Sequence, residues 1–90
     1  MLVVRPCSTK AAYEGILTRQ VRLDLNECSK TLRAKGYEII ALTDYVMVVK
    51  KEYELTLFPS GRVLAKDVES MDLAKKTIEK LHQDLGSHES

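Results

Sequence analysis

From Ile16 to Leu23 apolar and polar residues alternate. Leu17, Val21 and Leu23 fall on one side, Thr18, Gln20 and Arg22 on the other, and Arg19 interrupts the apolar side. A period of two predicts a strand. Tyr13, Ile16, Leu17 and Val21 also fit helical spacing, so a helix competes for the same residues. At Asp24 the period changes. Asp24 precedes Glu27 by three residues, which is capping-box spacing with Asp in place of Ser or Thr. Leu25, Cys28 and Leu32 then recur at helical intervals, Lys30, Arg33 and Lys35 place positive charge towards the end, and Gly36 stops the helix.

Three strands follow. Tyr37 to Thr43 and Tyr45 to Lys50 are rich in β-branched and aromatic residues, with Thr43-Asp44 as a tight turn between them. A third runs from Tyr53 to Phe58. Pro59-Ser60-Gly61 is a hairpin loop in which Pro59 presets φ and Gly61 takes the left-handed conformation. The last strand is Arg62 to Asp67. Ser70 caps a final helix, Asp72 adds negative charge to its first turn, and Ala74, Ile78, Leu81 and Leu85 form one apolar stripe. Lys75, Lys76, Glu79, Lys80 and Gln83 face away from that stripe. Residues 1–15 form an N-terminal segment: an apolar strip broken by Pro6, then Ser8 to Gly15 as one helical turn or irregular chain. Residues 86–90 are expected to fray. The expectation is one α+β domain over 1–90, with a curved five-stranded antiparallel sheet, two helices on one face and the order β-α-β-β-β-β-α.

Composition narrows the chemistry. A 90-residue chain makes one domain, and 44% apolar content argues against disorder. Fourteen Lys and Arg against 13 Asp and Glu give a net charge of +1, with a pI of about 7.8, which weighs against nucleic acid as the main partner. The opening Met1-Leu2-Val3-Val4-Arg5-Pro6 is too short and too soon charged for a secretory signal, and no apolar run approaches membrane-spanning length. Two cysteines in such a chain read as reduced thiols. A cytoplasmic protein with no membrane contact is expected.

The run from Leu55 to Leu81, LTLFPSGRVLAKDVESMDLAKKTIEKL, resembles the strand-turn-strand-helix half of one repeat of the TATA-box-binding protein family, and the order of elements resembles that repeat. The tail segment of sulfur-carrier adenylyltransferases carries a similar run. Small archaeal and anaerobe proteins with an associated iron–sulfur segment have a comparable plan: an opening like Arg5-Pro6-Cys7, an acidic helix start, Tyr-rich strands and this ending. The resemblance implies half of a saddle-shaped fold. TATA-box-binding proteins have two repeats and intercalating phenylalanine pairs, whereas these residues hold one repeat and Phe58 alone. No Cys-rich segment follows the last helix within these residues. DNA binding and cluster binding are therefore not expected to transfer.

Candidate chemistry is sparse. Cys7 stands near Lys10, which favours a thiolate; a half-buried or unremarkable thiol is the plainer reading. A phosphatase-type loop needs Arg six positions on, where Tyr13 stands. Cys28 lies on an apolar helix stripe and reads as core. His82 and His88 have no ligand spacing to either thiol, so Cys7 is only a weak metal candidate and no metal or cofactor is expected. Lys50-Lys51 and Lys75-Lys76-Lys80 interleave with carboxylates and read as solvated surface. The four glycines are isolated, no Ser–His–Asp set is spaced for catalysis, and a non-enzyme is expected.

One pattern does not fit a bland surface. Tyr45 to Val49 and Ile39 to Leu42 are apolar at both parities, although a sheet with helices on one side should show polar residues on the other. Tyr37, Tyr45 and Tyr53 add rings of the kind enriched at interfaces. The sequence thus predicts an interaction module that associates through an apolar sheet face, as a homodimer or docked on a larger protein, such as a metal- or sulfur-handling one. The candidate interface is Ile40, Leu42, Tyr45, Met47, Val49 and Tyr53, with Leu55 or Leu57 depending on register. Nucleic-acid binding by a dimer of repeats and a thiol or metal role for Cys7 are the alternatives.

Overall fold

Asp24 starts the first helix, α1 (Leu25–Ala34), by accepting hydrogen bonds from the backbone N–H groups of Asn26 and Glu27. Gly36 ends it with φ of 94°: its N–H reaches the Arg33 carbonyl, and the Tyr37 N–H reaches the Leu32 carbonyl. That pair of bonds is the Schellman motif, which needs a residue tolerant of left-handed backbone. The second helix, α2 (Met71–Asp84), opens on Ser70, whose hydroxyl accepts from the Leu73 N–H at 3.2 Å. Both starts and the Gly36 stop lie where the sequence puts them.

The computed structural model describes residues 2–6, 12–17 and 20–86. Among them are the strands β1 (Leu2–Pro6), β2 (Tyr13–Leu17), β3 (Glu38–Leu42), β4 (Met47–Lys50), β5 (Glu54–Leu57) and β6 (Val63–Ala65). They form one open sheet in the order β1-β2-β6-β5-β4-β3, antiparallel throughout. The α+β class stands, with six strands in place of five and the order β-β-α-β-β-β-β-α. The Pro59-Ser60-Gly61 hairpin closes as expected: Gly61 has φ of 88° and donates to the Phe58 carbonyl, and Phe58 donates to Arg62.

The core lies between the sheet and both helices. Met47, Leu57 and Val63 stand opposite one another across β4, β5 and β6; Val49, Leu55 and Ala65 make the next row. Both rows are buried in one cluster with Leu25, Cys28 and Leu32 of α1 and Ala74, Ile78 and Leu81 of α2. The helices therefore share one face of the sheet.

The N-terminal region departs from the expectation. The strand lies at Tyr13–Leu17, earlier than the expected Ile16 to Leu23, and β1 pairs with it from Leu2↔Leu17 to Pro6↔Tyr13; residues 20–23 are not strand, and 18 and 19 fall outside the described residues. Of Ser8 to Gly15, residues 13–15 are strand, Ala12 is buried irregular chain, and 8–11 fall outside the described residues, as do Cys7 and 87–90. The apolar residues Val21 and Leu23 still pack on the core, but as an extended plug fixed by Leu23 N–H to the Pro59 carbonyl at 2.8 Å. Their alternation is real, yet residues 20–23 join no strand of the sheet.

Gly15 of β2 lies in close contact with α2. A Cβ there would lie 2.7 Å from Cγ2 of Ile78, so α2 rests directly on the β2 backbone. Any side chain there would require Ile78 or its helix to shift. Gly15→Ala should destabilise the fold by about 1–3 kcal/mol, the usual range for overpacking. Combined with Ile78→Ala, it should cost clearly less than the sum of the two single changes in urea unfolding. Strict additivity would show that the two residues do not meet.

Candidate functional site

The face of the sheet opposite the helices is uncovered, and its side chains follow from the register. One row crosses all six strands: Ala41, Val48, Thr56, Leu64, Glu14 and Arg5. Towards one end of the strands lies a ladder of alternating charge, Glu38, Lys50 and Glu54, continued by Lys66, whose ammonium is 4.0 Å from the Glu54 carboxylate. Towards the other end Phe58 is followed by Arg62, with Val46 and Ile16 on either side. The face is thus an apolar strip with a charged border.

Among the described residues Glu14 is the one ionisable residue sunk into this face, at 8% exposure. Arg62 Nε donates to its Oε1, and Arg5 Nε lies 3.5 Å from its Oε2. The Arg62 hydrogen bond is the main reason that the Glu14 carboxyl is held below its ordinary pKa; partial burial opposes this, and the charges of both arginines support it. Arg62 also stacks over Phe58, with its guanidinium carbon 5.1 Å from the ring centre. Those contacts hold the guanidinium between the Glu14 carboxylate and the Phe58 ring.

A second polar cluster ties the far side of the fold. The Tyr37 hydroxyl, at the entry to β3, donates to Asp84 Oδ2 at 2.9 Å, and Lys80 Nζ lies 3.2 Å from Oδ1. Burial pushes the Tyr37 phenol well above its normal range, and the hydrogen bond to Asp84 and its charge add to the shift. At Asp84, burial raises the pKa, but the bonds from Tyr37 and Lys80 together outweigh it and leave the carboxyl below its usual value.

The predicted interface residues divide. Ile40, at a bulge in β3, is 47% exposed; Leu42 is 37% and Tyr45 79% exposed, all along the β3 edge of the sheet. Met47 and Val49 do not belong with them: both are fully buried under the helices, and so are Leu55 and Leu57. Tyr53 is half-buried against the core, its hydroxyl donating to Glu69 Oε2 at 2.8 Å. The open face is instead carried by Val48, Thr56, Leu64 and the Glu14 cluster. A signal for this was present. The alternation Leu55-Thr56-Leu57 marks Thr56 as outward, and the antiparallel pairing then carries Val48 outward with it.

Cys28 is buried in α1 as expected, and His82 is buried in α2. Cys7 and His88 lie outside the described residues. Among the described residues no group of three or more His, Cys, Asp and Glu is placed to hold a metal ion, and no helix is long and apolar enough to cross a membrane.

The depressed Glu14 pKa sets a pH dependence with a definite sign. Its stabilisation is complete above the ordinary glutamate pKa of about 4.3 and is lost as pH falls through the lower folded value. Glu14→Gln should lower the urea midpoint at neutral pH and shrink the further loss of stability between about pH 5 and pH 3. Asp84, depressed in the same direction, preserves part of that loss. An unchanged acid slope in Glu14→Gln would show that the arginines do not bind the carboxylate in solution.

No family model, no curated protein and no solved structure matches this chain.

Proposed function

We propose that this chain is a non-enzymatic interaction module whose open sheet face packs against a second copy of itself. The uncovered row Ala41-Val48-Thr56-Leu64, with the alternating ladder beside it, is the observation that carries this reading. The argument is one of self-complementarity. A two-fold axis lying in the interface, parallel to the strands and between β4 and β5, exchanges β4 with β5 and β3 with β6. It sets Lys50 over the partner's Glu54 and Glu38 over the partner's Lys66. It also sets Val48 over the partner's Thr56, and the small Ala41 over the larger Leu64 of the partner subunit. Opposite charges meet at the border, and small meets large in the centre. Symmetric dimers require such self-matching patches, and sheets pack face to face at small angles.

Size sets the expected strength. The wider dimensions of the chain, 30 and 27 Å, bound a face of about 800 Å², the area per partner of a standard interface. Overlap of the four strands β3 to β6, of the six in the sheet, covers about two-thirds of that, which is the range of weak, transient association. Burial at about 25 cal/mol per Å² is then largely offset by the cost of association, and dissociation constants from tens to hundreds of micromolar are expected. The carboxylates in the ladder weigh against a nucleic-acid partner on the same face.

Sedimentation across about 10–500 μM should show a monomer–dimer equilibrium in that range. Lys50→Glu should weaken it, because it sets like charges against the partner's Glu54, and adding Glu54→Lys should restore it. A wild-type chain that stays monomeric over the whole range overturns the proposal. So does tight, salt-sensitive duplex binding that the Lys50→Glu change abolishes, which would assign the face to nucleic acid.

A further inference from the structure

We infer that the cavity between the β4–β5 turn and α2 binds a small organic anion with a flat apolar body, such as an aryl phosphate or an aryl carboxylate. The cavity lies on the helix side of the sheet, and the inference does not rest on the dimer proposed above. Its volume is about 310 Å³, at the lower end for small-molecule sites, which suits one ring and one charged head and is tight for a nucleotide.

The lining has two halves. The apolar half is Leu55 from β5, Leu73 from α2 and the rings of Tyr37 and Tyr53. Both rings are held by their hydroxyl groups: Tyr37 is bonded to Asp84 and Tyr53 to Glu69. The rings are therefore set walls, and those two carboxylates are already engaged. The polar half is Lys51, Lys76 and Lys80, with Thr77 between the last two and Glu52 as the one carboxylate in the lining.

The charge on this half is incompletely balanced. Lys80 is shared with Asp84. Lys51 donates to the Lys35 carbonyl at 3.1 Å and lies 4.9 Å from the centre of the Tyr37 ring, contacts that position an ammonium without neutralising it. Lys76 has no hydrogen bond or ion pair among the described residues, although it borders an apolar recess. Two unneutralised ammonium groups above aromatic and aliphatic walls select a ligand that is anionic at one end and apolar at the other. A bare anion would leave the walls unused, and a neutral ring would leave the ammonium groups unused.

Titration of the labelled chain by amide NMR tests this with four probes: phenyl phosphate, benzoate, inorganic phosphate and benzyl alcohol. Phenyl phosphate or benzoate should shift Leu73, Lys76 and Thr77 with a dissociation constant near or below about 1 mM, and the stronger of the two identifies the head group. Inorganic phosphate and benzyl alcohol should each bind about tenfold or more weakly than that probe. Lys76→Glu should weaken binding by about three- to tenfold, while Lys75→Glu, the same charge change on the neighbouring helix position outside the cavity, should leave it unchanged. Absence of shifts at the cavity residues overturns the inference. Equal effects of the two lysine changes, or binding of inorganic phosphate as tight as phenyl phosphate, would reduce it to general surface charge and overturn it equally.

Discussion

Two rows of side chains, Met47-Leu57-Val63 and Val49-Leu55-Ala65, decide which way every other residue of the central sheet points. Because strand side chains alternate, a slip of one residue in any of β4, β5 or β6 would turn its members of these rows to water. Each large side chain so exposed forfeits about 1.5–3 kcal/mol. A slip of one strand therefore removes a large share of the roughly 5–15 kcal/mol that holds a domain folded. The parity is fixed by the core, and the open face inherits it. Val48, Thr56, Leu64, Lys50 and Glu54 are outward because their neighbours cannot be.

The helices reach that core through specific backbone concessions. Gly15 lets α2 touch β2, and Gly36 turns the chain from α1 into β3 within one Schellman turn. The residue after that turn is Tyr37, and its hydroxyl grips Asp84 at the end of α2. The end of α1, the start of β3 and the end of α2 are thus joined at one buried hydrogen bond. The same bond orients a wall of the lysine-lined cavity, so a tie that serves the fold also shapes a recess with the properties of a site.

Most of the fold was legible in the sequence, for local reasons. Asp24, Ser70, Gly36 and the Pro59-Ser60-Gly61 turn act through their own backbone geometry, and the structure uses each of them as read. What was not legible depended on contacts between distant residues. Alternation from Leu17 to Leu23 promised a strand, but pairing is a property of two segments, and the partner of β6 is Tyr13–Gly15. The interface was misjudged at Met47 and Val49 for a related reason. Val46, Met47, Val48 and Val49 are apolar at both parities, so that strand alone cannot declare its inner face. Its neighbour could, through Thr56. Glu14 gave no signal, since its significance comes from Arg62, which is 48 residues away in sequence and reaches it only across the sheet.

The position of that Glu14 cluster bears on how the open face can be covered. Removing an arginine–carboxylate group from water costs several kcal/mol per ion before its internal attractions are counted. Here Glu14 is buried but the arginine side chains remain 61% and 42% exposed, so both guanidinium groups keep contact with water. A partner centred on β2 and β6 would strip that water away. An axis between β4 and β5 leaves β1 and β2 overhanging the partner, with Arg5, Glu14 and Arg62 at or beyond its rim. The cheapest way to bury the apolar row is therefore also the one that matches the alternating ladder. In the proposed dimer the charged cluster would act as a boundary that limits association to the four strands where the surface complements itself.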